Sequence, residues 1–200
     1  MNIIDLIFPK KCLECGQPGK YICENCLKKV PPGGWAGKEV YGLWKYEGVI
    51  RKAIIALKYK YSTQIVDELA EICVERLSAI SYTLSATLVP IPLHWHRKNF
   101  RGFNQSEEIG KRVAKEMGWK FIPDLLVRQK STVPQVQLTG SARRKNLKGV
   151  FAVSPSILVS KYPSIVLFDD VFTTGSTLYE ASKVLREGGV KRIMCLTIAK

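Results

Sequence analysis

The chain reads as an α/β protein, a parallel sheet flanked by helices, with a small N-terminal four-cysteine module in front of it. Three observations predict this class. A short, continuously apolar run at 165–168 has the pattern of a strand buried on both faces of a parallel sheet, and 84–91 and 191–198 also read as strands. Apolar residues at helical spacing fill the segments around these runs. Two Cys-x-x-Cys pairs open the chain, in a stretch of about twenty-five residues that cannot build an independent core without a staple.

The module comes first. Cys12, Cys15, Cys23 and Cys26 are spaced as the two knuckles of a structural zinc site, whose tetrahedral thiolate shell is closed and leaves no position for chemistry. Gly16, Pro18 and Gly19 favour the turn that brings the pairs together. Disulfides are the competing reading, but a chain expected in the cytoplasm keeps its thiols reduced, which favours zinc. That location is expected because the N-terminal MNIIDLIF is short, lacks a leading basic region and is interrupted by Asp5, a poor signal peptide. Nothing approaches the length of a membrane span, so no membrane insertion is expected. Pro31-Pro32-Gly33-Gly34 is a strong breaker and marks the end of the module, dividing the chain into 1–34 and 35–200. Two hundred residues, 46% of them hydrophobic and 24% charged, accommodate one sizeable globular domain plus such an appendage.

Residues 40–46 (VYGLWKY) have strand composition. Ile50, Ala53, Ile54 and Leu57 trace a helical stripe, with Arg51, Lys52, Lys58 and Lys60 largely off it; Ile65, Leu69, Ile72, Cys73 and Leu77 trace a second over 63–80. The strand at 84–91 is expected to end at Pro90 and Pro92. The loop after it, HWHRKNFRGFNQS, is dense in donors: Arg97, Lys98 and Arg101 are candidates to hold a pyrophosphate, and Asn104 with Glu107 forms a helix cap and its capping-box partner. Ile109, Val113, Ala114 and Met117 give that helix its buried stripe. His94 and His96 titrate near neutrality and are candidates for substrate contact or acid/base work, although no orienting carboxylate is visible and the plainer reading is of loop histidines. Residues 128–151 are polar, broken by Pro134 and Gly140 and basic toward their end; so long a loop in a compact domain is usually functional, and this one is expected to close over a bound anion. Cys73 and Cys195 fall on apolar faces and read as core residues.

The chemistry sits in the last third, where residues 164–178 read SIVLFDDVFTTGSTL. A strand over 165–168 ends at the carboxyl edge of the sheet, where ligands bind in open α/β folds. Thr173, Thr174, Gly175, Ser176 and Thr177 then open a helix whose stripe is Leu178, Ala181, Val184 and Leu185, stopped by Gly188-Gly189. Unpaired amides, the positive end of the helix dipole and four hydroxyls favour a phosphate there, and Gly175 lets the backbone approach it. Asp169 and Asp170, one turn earlier, can accept hydrogen bonds from ribose hydroxyls. There is no Walker-type Gly-x-x-x-x-Gly-Lys, which excludes an ATP-hydrolysing P-loop.

This stretch resembles the loop with which type I phosphoribosyltransferases bind phosphoribosyl pyrophosphate (PRPP). The resemblance implies a type I phosphoribosyltransferase fold, with Asp169 and Asp170 on the ribose, as the catalytic pair, and Thr173, Thr174, Gly175, Ser176 and Thr177 on the 5-phosphate. If a transfer occurs, Mg²⁺ is expected with PRPP, held mainly by substrate and water oxygens.

Net charge is +14, and thirteen Lys or Arg against four acidic residues lie within 94–150. A basic face this broad suits an anionic ligand and can accept single-stranded DNA, with Arg143, Arg144 and Lys145 as candidate contacts. The Cys-x-x-Cys pairs, ALKYK (56–60), RGFNQSEEIG (101–110), PQVQLTGSARRKNLKGVF (134–151) and LFDDVFTTGST together resemble the ComF family over nearly the whole chain. That resemblance implies a role in natural transformation, on imported single-stranded DNA at the cytoplasmic side, with the helicase-like ATPase ComFA as a partner. Two classes of function remain open: a PRPP-binding protein that works on DNA, and an active phosphoribosyltransferase transferring ribose 5-phosphate to an unidentified base or amine.

Overall fold

The computed structural model describes residues 10–59, 62–80, 86–93, 99, 102–129 and 149–200. In chain order they form helix α1 (Glu24–Leu27), strands β1 (Pro32–Ala36) and β2 (Val40–Trp44), helices α2 (Gly48–Tyr59) and α3 (Thr63–Ala79), strand β3 (Thr87–Pro90) and helix α4 (Gln105–Glu116). Short strands β4 (Lys120–Phe121), β5 (Leu126–Arg128) and β6 (Phe151–Val153) follow, then β7 (Ser164–Val171), helix α5 (Ser176–Glu187) and β8 (Arg192–Ala199). Six strands make one sheet in the order β1-β2-β8-β7-β3-β4. Within it β1 runs antiparallel to its neighbour, and the other pairings are parallel. The expected sheet flanked by helices is the architecture observed.

Alternation along β7 explains the two helical layers. Val166 and Phe168 enter one apolar cluster with Leu88, Leu196 and Ile198, whereas Ile165 and Leu167 enter another with Val89, Ile193 and Cys195. Helices α2, α3 and α4 cover the first face through Ile54, Leu57, Leu69, Cys73, Ile109 and Val113. Helix α5 covers the second through Leu178, Ala181 and Leu185, together with Leu126 and Phe151 of the β5–β6 ribbon. Burying side chains of this size stabilises the fold by about 1.5–3 kcal/mol each. Gly110 lets α4 lie close to the sheet, because a Cβ there would stand 2.9 Å from Leu88 Cδ2 and 3.2 Å from Phe168 Cδ1.

Two segments differ from the expectation, and a third follows it. Pro31 to Gly34 is not only a breaker: Pro32 begins β1, an edge strand whose first residue needs no ladder amide. Gly33 is required there, since a Cβ would come 2.3 Å from the Gly42 carbonyl oxygen. The third strand ends at Pro90, as expected, with Pro90 paired to Phe168 as its last residue. The Ile91 amide donates to Phe168 O at 2.9 Å, so Pro90, one residue earlier, turns its missing donor toward β4, which has already ended. The polar segment after Leu126 is tied at its base, where β5 and β6 pair antiparallel with Arg128 opposite Phe151. The buried Glu180 of α5 also accepts from the Gly149 amide at 2.7 Å.

The cysteine module is built into the first core. Cys12, Ile22, Cys26 and Val30 share one apolar cluster with Leu43, Val49, Ile50 and Leu69. The buried Glu68 carboxylate of α3 accepts from the Ile22 amide at 2.9 Å, so the module's backbone is tied to the helix it covers.

Candidate functional site

β7 leaves the core at its carboxyl end. Phe168 is fully buried, whereas Asp169 and Asp170 are half-buried and line a solvent-open cleft of about 530 Å³. The turn after them is held by the Phe172 amide, which donates to Ala199 O at 2.8 Å. Gly175 takes a left-handed φ of 72° at the N-cap of α5, and a Cβ on it would meet the Phe172 ring at 2.7 Å. Glycine is therefore demanded twice, by conformation and by space. It also leaves the helix without a side-chain cap, so the first-turn amides keep their capacity for an anion. Thr173 and Thr174 are exposed, Ser176 is buried, and the Thr174 and Ser176 hydroxyls lie 3.0 Å apart. Thr177 lines the cleft with the two carboxylates.

Helix α4 supplies the opposite wall. Asn104 caps it, accepting from the Ser106 amide at 3.2 Å while its own amide group donates to Ile91 O at 3.0 Å, which locks the helix start to the end of β3. Ser106 is thereby placed to donate its hydroxyl to Asp169 Oδ1 at 2.9 Å. The Asp170 amide donates to the same oxygen, also at 2.9 Å. From α2, the Lys58 ammonium reaches Asp170 Oδ2 at 3.0 Å. Desolvation, reinforced by the adjacent Asp170 carboxylate, pushes Asp169 from the usual 3.8 up to about 7, against the opposing Ser106 and Lys58 contacts. With Asp169 retaining its proton up to near neutrality, the cleft can both donate to and accept from vicinal hydroxyls.

The second cluster is formed by Cys12, Cys15, Cys23 and Cys26, whose Sγ atoms all lie within 4.8 Å of one another. Backbone bonds close each knuckle, the Gly16 amide to Cys12 O and the Leu27 amide to Cys23 O, both at 2.9 Å. Cys15 and Cys23 Sγ are 3.8 Å apart, far beyond a disulfide bond. That spacing fits two sulfurs each about 2.3 Å from one tetrahedral zinc. Burial raises Cys12, but backbone hydrogen bonds from Cys15, Cys23 and Glu14 outweigh it and bring the thiol down to about 6, so one sulfur sheds its proton readily. The cluster has the donors and geometry to hold zinc. Cys73 and Cys195 are buried, as expected of core residues.

The structure brings Asp169, Asp170 and Thr177 together on one cleft. Arg97, Lys98, Arg101, His94, His96, Arg143, Arg144 and Lys145 lie outside the described residues. Lys58, Ser106 and Arg128 line the cleft as well, and no local sequence pattern marks them for it. The segments ALKYK and RGFNQSEEIG contain the first two, but only the sheet order places them against the acidic pair.

No family model matches the chain. It is 32% identical to competence protein F of Haemophilus influenzae, with 94% of this chain and 84% of that protein covered. It is 28% identical to the DNA utilization protein YhgH of Salmonella typhimurium, covering 92% and 82%. To the competence protein ComFC of Bacillus subtilis it is 24% identical, covering 89% and 72%. Among solved structures, a glutamine PRPP amidotransferase from B. subtilis complexed with ADP and GMP matches with a TM-score of 0.46 and 13% identity, over 72% of this chain and 30% of that one.

The raised Asp169 carboxyl makes a pH prediction. Its contribution to stability is fully present below about pH 4 and is lost as pH rises through about 7, because the native state retains a proton that the unfolded chain has released. Asp169→Asn removes this titration and keeps an acceptor for Ser106. The variant should be more stable than wild type at pH 8, by on the order of 1–3 kcal/mol, and the difference should shrink toward pH 4. Urea unfolding at both pH values measures it; a difference that is equal at the two pH values contradicts the shift.

Proposed function

This chain belongs to the ComF family, and from that membership and the acidic turn we propose that it binds PRPP and acts in the DNA uptake machinery of natural transformation. In this reading it handles single-stranded DNA in the cytoplasm, with the helicase-like ATPase ComFA as partner. The observation that carries the PRPP assignment is the arrangement at the end of β7: two carboxylates at the carboxyl edge of a parallel sheet, one turn ahead of an uncapped, hydroxyl-rich helix N-terminus. Asp169 and Asp170 receive the ribose hydroxyls, and residues 173–177 receive the 5-phosphate. Arg97, Lys98 and Arg101 are assigned to the pyrophosphate. Mg²⁺ accompanies the ligand, held mainly by ligand and water oxygens. The DNA role draws support from the names of two relatives, competence protein F and DNA utilization protein YhgH, and from the charge of +14, with Arg143, Arg144 and Lys145 as contacts.

The organisation proposed is a zinc module over 1–34 and a phosphoribosyltransferase-like domain over 35–200, with Zn²⁺ on Cys12, Cys15, Cys23 and Cys26 as a structural element. The second reading is an active phosphoribosyltransferase that transfers ribose 5-phosphate from PRPP to a base or amine. It is favoured by the same intact acidic pair and turn; catalysis would be mainly electrostatic, with the charge of the leaving pyrophosphate stabilised while positive charge develops at the ribose carbon.

Three outcomes test these assignments. Replacing Asp169 and Asp170 together by Ala should weaken PRPP binding by about 1–3 kcal/mol for each charged hydrogen bond removed; calorimetry giving wild-type affinity refutes the site. Purified protein should contain about one equivalent of zinc, and Cys23→Ser should lower the melting temperature, because the metal's binding free energy is folding free energy. Absence of stoichiometric zinc refutes the metal. Labelled oligonucleotide should bind with an affinity that falls steeply with salt, and replacing Arg143, Arg144 and Lys145 by Ala should reduce the logarithmic slope by about 2, at roughly 0.7 for each phosphate no longer neutralised. An unchanged slope assigns the basic face to another anion. Pyrophosphate release from PRPP and Mg²⁺ with candidate acceptors decides between binding and transfer.

A further inference from the structure

We propose that Lys58 is a ligand-gripping cation of the cleft, its ammonium bridging the Asp170 carboxylate to the diphosphate of the bound sugar phosphate. The inference rests on the PRPP reading above. Lys58 stands in the last turn of α2, and its neighbours Ile54 and Leu57 are anchored in the core, so the backbone is held while the long stem carries the charge outward. The ammonium lies 3.0 Å from Asp170 Oδ2, with the Lys58 and Asp170 side chains only 24% and 17% exposed. Lysines that decorate a surface are far more open to water than this. The other α2 cations are directed elsewhere: Arg51 lies over the Tyr46 ring, and Lys52 pairs with Glu14 at 3.2 Å.

The chemistry of the cleft gives this placement a use. Two adjacent carboxyls bind ribose hydroxyls well but repel any polyphosphate seated beside them. The turn at 173–177 already offers amides and hydroxyls to one phosphate, whereas a diphosphate brings more charge and calls for a cation. Lys58 lines the same cleft as Asp169, Asp170, Ser106 and Thr177, so a ligand that reaches the acidic pair comes within its reach. An ammonium has three rotatable donors, and the contact with Asp170 uses one. It can therefore keep the carboxylate in place and still donate to phosphate oxygens.

The alternative is that Lys58 merely orients Asp170, and ligand choice separates the two. Wild type, Lys58→Met and Lys58→Arg are titrated calorimetrically with PRPP, inorganic pyrophosphate and ribose 5-phosphate at fixed Mg²⁺, after their melting temperatures have been matched to establish folding. A diphosphate contact makes Lys58→Met bind PRPP and pyrophosphate about 10- to 100-fold more weakly and leaves ribose 5-phosphate within about threefold, as removal of a charged hydrogen bond implies. Lys58→Arg, which keeps the charge, should recover part of the affinity. Unchanged pyrophosphate binding in Lys58→Met, or an equal loss for all three ligands, overturns the proposal while leaving the PRPP site standing. Wild type that does not bind PRPP overturns both.

Discussion

The structure depends on β7 being buried on both faces and paired along both edges. A strand in that position has no room for polar side chains until it leaves the sheet, so its first carboxylates, Asp169 and Asp170, appear at the carboxyl edge and nowhere earlier. The same burial fixes what surrounds them. β3 on one side delivers the start of α4, and β8 on the other accepts the amide that shapes the turn into α5. One strand's desolvation thereby aligns the cap of one helix and the open N-terminus of another on a single cleft.

Within that cleft the electrostatics run against the character of the whole protein. The chain carries +14, yet two of the groups lining the cleft are carboxylates, one of them held partly neutral by burial and by its neighbour. A site of this kind suits a ligand with a neutral polar middle and charged ends. In the proposed reading the carboxyls would take the hydroxyl-bearing middle, while helix amides and cations would take the ends.

The cysteine module is continuous with the domain's packing. Its apolar residues fill the cluster formed by α2 and α3, and Glu68 holds its backbone from beneath. α2 therefore has the module on it and Lys58 at its end, so a disturbance of the cysteine cluster would be felt at the helix that feeds a charge to Asp170. Four thiolates on one zinc would leave no open coordination position for chemistry.

What the sequence determined by itself was local. The knuckle spacing of the four cysteines, the cap at Asn104, the stripes of α2 to α5, and the order of apolar run, acidic pair, turn and helix each depend on residues within a few positions of one another. Their physical causes, side-chain period, φ preference and capping, are written in adjacent letters. Tertiary structure decided the rest. Pro90 is tolerated as the last residue of β3 because β4 ends before the missing amide would be needed, a fact of sheet order and not of proline. The ends of a seemingly featureless polar stretch pair as β5 and β6 because each meets the other across the second core. Lys58 and Ser106 become site residues because α2 and α4 converge on the end of β7, and that convergence is set by which strands pair with which. Such contacts join residues far apart in the chain, and no local preference encodes them; only the shared burial of the sheet does.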